Sequence, residues 1–187
     1  MRTVRPAGTR LSVDDWIQAG YALIADDGLE ALKIDRLCKR IGATKGSFYW
    51  HFTDMAAYRS ALIEAWAQQR GEEHQVYRQI GDLPPRERLS KMIAALVAPR
   101  HWKLERAMRE WARTDKNVAA GVEAADRRVV QTVRQAFRDL GFTAEEAELR
   151  ARTTFAAGIG FLQMPDSKPN PLSGAQRERF LDFMVRP

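Results

Sequence analysis

The sequence predicts an all-α protein, a small N-terminal helix-turn-helix head followed by a larger helical bundle, with about nine helices in all. Three observations predict it. Apolar residues recur at three- and four-residue intervals from Trp16 to Met184. Ser, Thr and Gly stand at the intervals where helices start and stop. No segment alternates with the two-residue period of a half-buried strand, and no internal repeat is present.

A disordered arm is expected through about Arg10. Ser12 with Asp15 then makes a capping-box-like start, and the first helix carries Trp16, Ile17, Gly20, Leu23 and Ile24 before stopping at Gly28. In the second helix Ile34, Leu37, Cys38 and Ile41 form one buried stripe. Gly42 supplies a left-handed stop and Thr44 the next N-cap, so two short helices meet at a tight turn. In the third helix Phe48 and Phe52 anchor one side, while Lys45, Gly46, Ser47, Tyr49, Trp50 and His51 stay largely outward.

A long fourth helix is expected from about Asp54 into the seventies, with Tyr58, Leu62, Ala65, Trp66 and Gln69 on one face. Gly81 to Pro85 reads as a turn and a proline-started helix, whose apolar stripe is Leu89, Met92, Ile93, Leu96 and Val97 and which Pro99 ends. The sixth helix, about residues 100 to 114, shows Leu104, Met108 and Trp111. The seventh begins near Asn117, carries Val118, Val122, Ala125, Val129, Val133, Phe137 and Leu140, and closes at Gly141. Thr143 with Glu146 opens an eighth helix to about Met164. A loop over 165–171 precedes a last helix capped by Ser173 and Gln176 and bearing Phe180, Leu181 and Met184. The expected division is 1–53 for arm and head and 54–187 for the body.

Composition narrows the function. The net charge of +6 suits a polyanionic partner, but in the first 54 residues the basic side chains are nearly balanced by Asp and Glu, so position matters more than total charge. The single cysteine excludes an intrachain disulfide, and Cys38 falls on the apolar stripe as a small core filler. No stretch reaches the roughly 18 apolar residues of a membrane span, and the polar N-terminus lacks a signal peptide's apolar run, so the protein is expected in the cytoplasm without membrane contact.

Catalysis finds little support. His101 and Glu105 are four apart, and Glu72, Glu73 and His74 adjoin, whereas a di-iron helix pair needs Glu and His three apart on two helices. The chain has no glycine-rich phosphate loop, nucleophile elbow or His-Glu-x-x-His. No catalytic residue, metal site or cofactor is expected, and His74 and His101 read as solvated helix-face residues.

The third helix is chemically the most pointed feature. A cation, a hydroxyl, a phenol, an indole and an imidazole exposed together can donate to phosphate oxygens and pack on sugars and thymine methyls. Gly46 lets a partner approach closely. The run Thr44-Lys45-Gly46-Ser47-Phe48-Tyr49-Trp50-His51-Phe52, preceded by Gly28-Leu29-Glu30-Ala31-Leu32 and a helix beginning near Ser12, resembles the DNA-binding domain of the TetR family, the tetracycline-repressor-like bacterial regulators. The likeness spans roughly residues 10 to 65, and Phe142 to Glu148 looks like the start of that family's penultimate helix.

The resemblance implies a ligand-responsive transcription regulator, usually a repressor, that binds a palindromic operator in double-stranded DNA as a homodimer. It implies DNA contacts from Arg10, Lys33, Thr44, Lys45, Gly46, Ser47, Tyr49, Trp50 and His51. It places a small-molecule effector, apolar or aromatic, among Trp66, Met92, Trp102, Met108 and Trp111. It assigns the last two helices to a four-helix interface using Phe155, Gly158, Ile159, Phe161, Phe180, Leu181 and Met184, where the cluster Ala156, Ala157, Gly158 and Gly160 also suits a close crossing within one chain. Two positions depart from the family pattern. Met55 stands where members carry a phosphate-clamping Lys, and Asp35, a natural first-turn residue, lies where some relatives read a base. The competing reading is a helical ligand- or partner-binding protein whose head has weak or lost DNA affinity.

Overall fold

The computed structural model describes residues 11–79, 82–97, 102–164 and 172–186. Among them are nine α-helices: α1 (Val13–Asp27), α2 (Ile34–Ile41), α3 (Lys45–His51), α4 (Met55–Gln79), α5 (Pro85–Val97), α6 (Trp102–Ala112), α7 (Lys116–Asp139), α8 (Ala144–Gln163) and α9 (Gly174–Met184). The all-α expectation holds. Arg10, the side chains of Glu72, Glu73 and His74, and His101 lie outside the described residues.

Local chemistry sets the boundaries. Asp15 N–H donates to Ser12 Oγ at 3.2 Å while Ser12 N–H donates to Asp15 Oδ2 at 2.8 Å, closing the first capping box. Thr143 with Glu146 and Ser173 with Gln176 repeat the device at α8 and α9. Asp115 begins α7 by accepting from the amides of Asn117 and Val118, two residues ahead of the start expected near Asn117. Gly42 has φ +69° and Gly141 φ +95°, left-handed stops that a side chain would strain. Between α1 and α2 the segment Leu29–Ala31 forms one turn of 3-10 helix, for which periodicity gave no signal.

The chain divides into two compact units, the first ending at Trp66 and the second beginning at Ala67, a division that falls inside α4. In the first unit Trp16, Ile24, Leu37, Phe48, Tyr58 and Leu62 are almost fully buried. The ring of Phe48 meets those of Trp16, Phe52 and Tyr58, each at a centroid distance of 5.4 Å, in edge-on or tilted contacts. Two buried phenols tie α1 to α4: Tyr58 Oη donates to the Trp16 carbonyl at 2.7 Å, and Tyr21 Oη donates to the Leu62 carbonyl at 2.8 Å. Burial pushes both phenol pKa values well above their ordinary range, so both hydroxyls remain donors.

In the second unit α7 packs on α5, α6 and α8, and α5 also packs on α8 and α9. One core joins Leu89, Met92 and Ile93 of α5 to Val133, Ala136 and Phe137 of α7, Ala147 and Ala151 of α8, and Leu181 and Met184 of α9. A buried ionic chain runs beside it. Glu105 pairs with Arg70 of α4 and, at 2.8 Å, with Arg109, whose guanidinium also grips Asp126 of α7 in two bonds of 2.6 and 2.9 Å. Glu105 is only 7% exposed, so its charge needs these partners. Burial alone would lower the Arg109 pKa, but the bonds to Asp126 and Glu105 raise it on balance and keep the side chain charged.

Gly20 is required by the phenol beside it. A Cβ built there would lie 2.2 Å from Tyr58 Oη and 2.9 Å from Leu62. We expect Gly20→Ala to cost about 1–3 kcal/mol as overpacking, and Tyr58→Phe about 1 kcal/mol for the lost hydrogen bond. Urea unfolding of both single variants and the double variant should show a double-variant loss smaller than the sum, because the two changes relieve one contact.

Candidate nucleic-acid interface

The face of α3 is presented by the core behind it. Ser47 N–H donates to Thr44 Oγ1 at 3.2 Å, which starts the helix, and Phe48 and Phe52 hold its inner side in the aromatic cluster. With the inner positions fixed, Thr44, Lys45, Gly46, Tyr49 and Trp50 are exposed, and Ser47 and His51 are half-buried. Tyr49 and Trp50, at 55% and 63% exposure, are large rings that a plain folded domain would cover. The Trp50 ring stands edge-on to His51 at 4.5 Å, so the two side chains form one small aromatic wall.

The electrostatics are less simple than a basic patch. Lys45 Nζ lies 2.7 Å from Asp35 Oδ1, Arg40 lies 2.6 Å from Asp26, and Arg36 lies 3.7 Å from Asp27. The hydrogen bond to Asp35, reinforced by its charge, raises the Lys45 pKa above its ordinary value. Lys33 is exposed and forms no ion pair among the described residues. At the other end of the head Asp54 begins α4 by accepting from Ala57 N–H at 2.8 Å, and Met55 follows half-buried. Cys38 is buried on the inner stripe, where burial and then the charge of Asp35 push its thiol pKa up, away from reactive thiolate.

The residues expected for an effector are placed as follows. Trp66 is buried at the end of the first unit. In the second unit Met108 and Trp111 are buried on α6 and Trp102 is half-buried. Met92 belongs to the core between α5 and α7, beside an apolar crevice lined by Leu96, Val129, Thr132 and Val133 that is too narrow for a water molecule.

For the interface expected on α8 and α9 the structure redistributes the residues. Leu181 and Met184 are spent on the chain's own core, and a Cβ at Gly158 would lie 3.3 Å from Leu96 of α5, so its small size serves a crossing within the chain. Phe155, Ile159, Phe161 and Phe180 are half-buried. Gly160 faces open space, and Leu149, Met164 and Phe183 are 67%, 53% and 69% exposed. These three residues lie off the inner apolar stripes that helical periodicity marks, so the sequence alone carries no signal for them.

Residues 17–62 match the family model described as bacterial regulatory proteins, tetR family. No curated protein matches the chain. Solved structures share its fold. A TetR transcriptional regulator from Legionella pneumophila is 13% identical over 96% of this chain and 100% of its own, with TM-score 0.75. A transcriptional regulator from Rhodococcus sp. Rha1 is 19% identical over 94% of each chain, with TM-score 0.71. A candidate transcriptional regulator from Saccharomonospora viridis, in complex with choline, is 15% identical over 92% of this chain and 94% of its own, with TM-score 0.70. At such identities the likeness is one of fold. No helix among the described residues is long and apolar enough to cross a membrane.

Proposed function

We propose that this chain, whose residues 17–62 match the tetR-family model, is a homodimeric repressor of that family, holding a palindromic operator with α3 and releasing it when a small molecule enters the body. The observation that carries the DNA reading is the outward face of α3, where Tyr49 and Trp50 stay exposed although a buried aromatic cluster lies directly behind them. In this reading Tyr49 and His51 hold the sugar-phosphate backbone, Lys45 and Gly46 lie nearest the bases, and Lys33, Thr44, Ser47 and Trp50 complete the contact. The test is a gel-shift titration at several salt concentrations. Tyr49→Ala and His51→Ala should weaken every duplex by a similar factor, and binding should fall steeply as salt rises. Salt-independent or absent binding would favour the competing reading, a helical ligand-binding protein.

The dimer proposal rests on the outer stripe of α8, where Leu149, Ala156 and Gly160 are exposed at helical spacing, together with the exposed C-cap residue Met164 and exposed Phe183 on α9. Arg150 of α8 donates to the Met184 carbonyl at 2.5 Å, fixing α9 beside it. Two such faces related by a two-fold axis give a four-helix contact, and the paired heads then address half-sites about one helical turn apart. Gly160→Arg should yield a folded monomer in sedimentation with an unchanged far-UV spectrum. Gly158→Arg, aimed at Leu96, should instead damage the fold itself.

For the switch, α6 carries Trp102, Met108 and Trp111 on the same helix as Glu105, and Glu105 holds Arg70 of α4. An apolar or aromatic effector lodged against α6 would shift Glu105 and pull α4 through that ion pair. The choline complex of the Saccharomonospora structure makes quaternary ammonium compounds a sensible part of a thermal-shift screen. With a hit in hand, operator DNA should weaken its binding by the same factor that it weakens DNA binding, typically about 5- to 150-fold. Glu105→Gln should lower that factor while leaving ligand-free DNA affinity nearly intact, as two fluorescence titrations would show.

A further inference from the structure

Asp35 presents a difficulty that its neighbours resolve. It is 76% exposed, on the same side as Lys45, and Lys45 is one helical turn from Tyr49. A carboxylate on a face that meets phosphates is repelled by them, and a first-turn acid could serve α2 without reaching toward α3. Here it reaches across the turn and fixes the Lys45 ammonium at 2.7 Å. The head therefore displays one acceptor and one donor side by side.

That arrangement has a complement in the major groove. A C·G pair sets the cytosine N4 amino donor beside the O6 and N7 acceptors of guanine, and carboxylates accept from cytosine N4 while Lys donates to guanine O6 or N7. A carboxylate in contact with an ammonium keeps its second oxygen free to accept, and the ammonium keeps two protons to donate, so the pair need not break to read the bases. Because Asp35 already serves as the counterion of Lys45, Lys45 would release little solution cation on binding.

We propose that Asp35 and Lys45 act together as a specificity-determining pair that reads one C·G base pair in each half-site, an inference that rests on the DNA-binding reading of α3. Asp35 accepts from the cytosine amino group and Lys45 donates to the guanine edge. Both side chains are exposed, so replacing either by Ala leaves the buried core of the head untouched.

The experiment is selection of bound duplexes from a randomised pool, run at fixed salt with the full-length wild type, Asp35→Ala and Lys45→Ala, followed by affinity measurement on the selected site and its single-base variants, and on the selected site at several salt concentrations. The wild type should prefer C·G at one position of each half-site by about fivefold or more over the other pairs. Both variants should flatten that same position and leave the others unchanged, and Lys45→Ala should leave the salt slope nearly unaltered. Unchanged preferences in Asp35→Ala would overturn the proposal and make Asp35 a counterion only. A wild-type preference for A·T at the affected position, or flattening of two separate positions by the two variants, would also overturn it. If the wild type enriches no sequence at all, the DNA-binding reading itself fails, a result distinct from each of these.

Discussion

The head depends on the niche that Gly20 leaves for Tyr58. A phenol from the start of α4 enters the side of α1, bonds the Trp16 carbonyl and lays its ring against Phe48 and Phe52. Phe48 is the inner side of α3, so the contact that seats α4 on α1 also sets which residues of α3 face outward. Trp16, Phe48, Phe52 and Tyr58 bury one another, and the exposed rings of Tyr49 and Trp50 are left over. A short helix such as α3 is marginal alone, so its orientation comes from this packing and not from propensity.

The body solves a different problem with charge. Glu105 is buried and Arg109 half-buried, and poorly solvated isolated charges are costly, so the chain from Arg70 through Glu105 and Arg109 to Asp126 holds together as a set. The apolar core between α5, α7, α8 and α9 lies to one side of it and consumes Leu181 and Met184, which leaves Leu149, Met164 and Phe183 on the outer faces of α8 and α9 exposed.

Much of this architecture is legible in the amino-acid sequence alone. Ser12 with Asp15, Thr143 with Glu146 and Ser173 with Gln176 each declare a helix start by chemistry confined to four residues, and all three boxes form. Gly42 and Gly141 declare stops in the same local way. The outward row on α3 follows from Phe48 and Phe52 being four apart. What stays hidden is relational. Helical periodicity says that Gly158 and Leu181 face inward without saying whether the neighbour is α5 or a second chain, and the apolar outer residues Leu149 and Phe183 sit off the periodic stripe. The partners of Lys45 and Glu105 lie 10 and 4 residues away or farther, and charge counting sees a near-balance without seeing which acid touches which base. The compact division at Trp66 likewise reflects Tyr58 and Leu62 being buried with α1, a contact that chain position alone does not reveal.

In the proposed function the aromatic core presents α3 to duplex DNA. Amide hydrogen exchange of the full chain, with and without a duplex enriched from a random pool, tests it directly. Added protection is expected to concentrate in residues 44–51 and the flanking turn from Lys33, with the core amides around Phe137 unchanged. Protection confined to 102–164, with 33–51 exchanging as in the free protein, would contradict it.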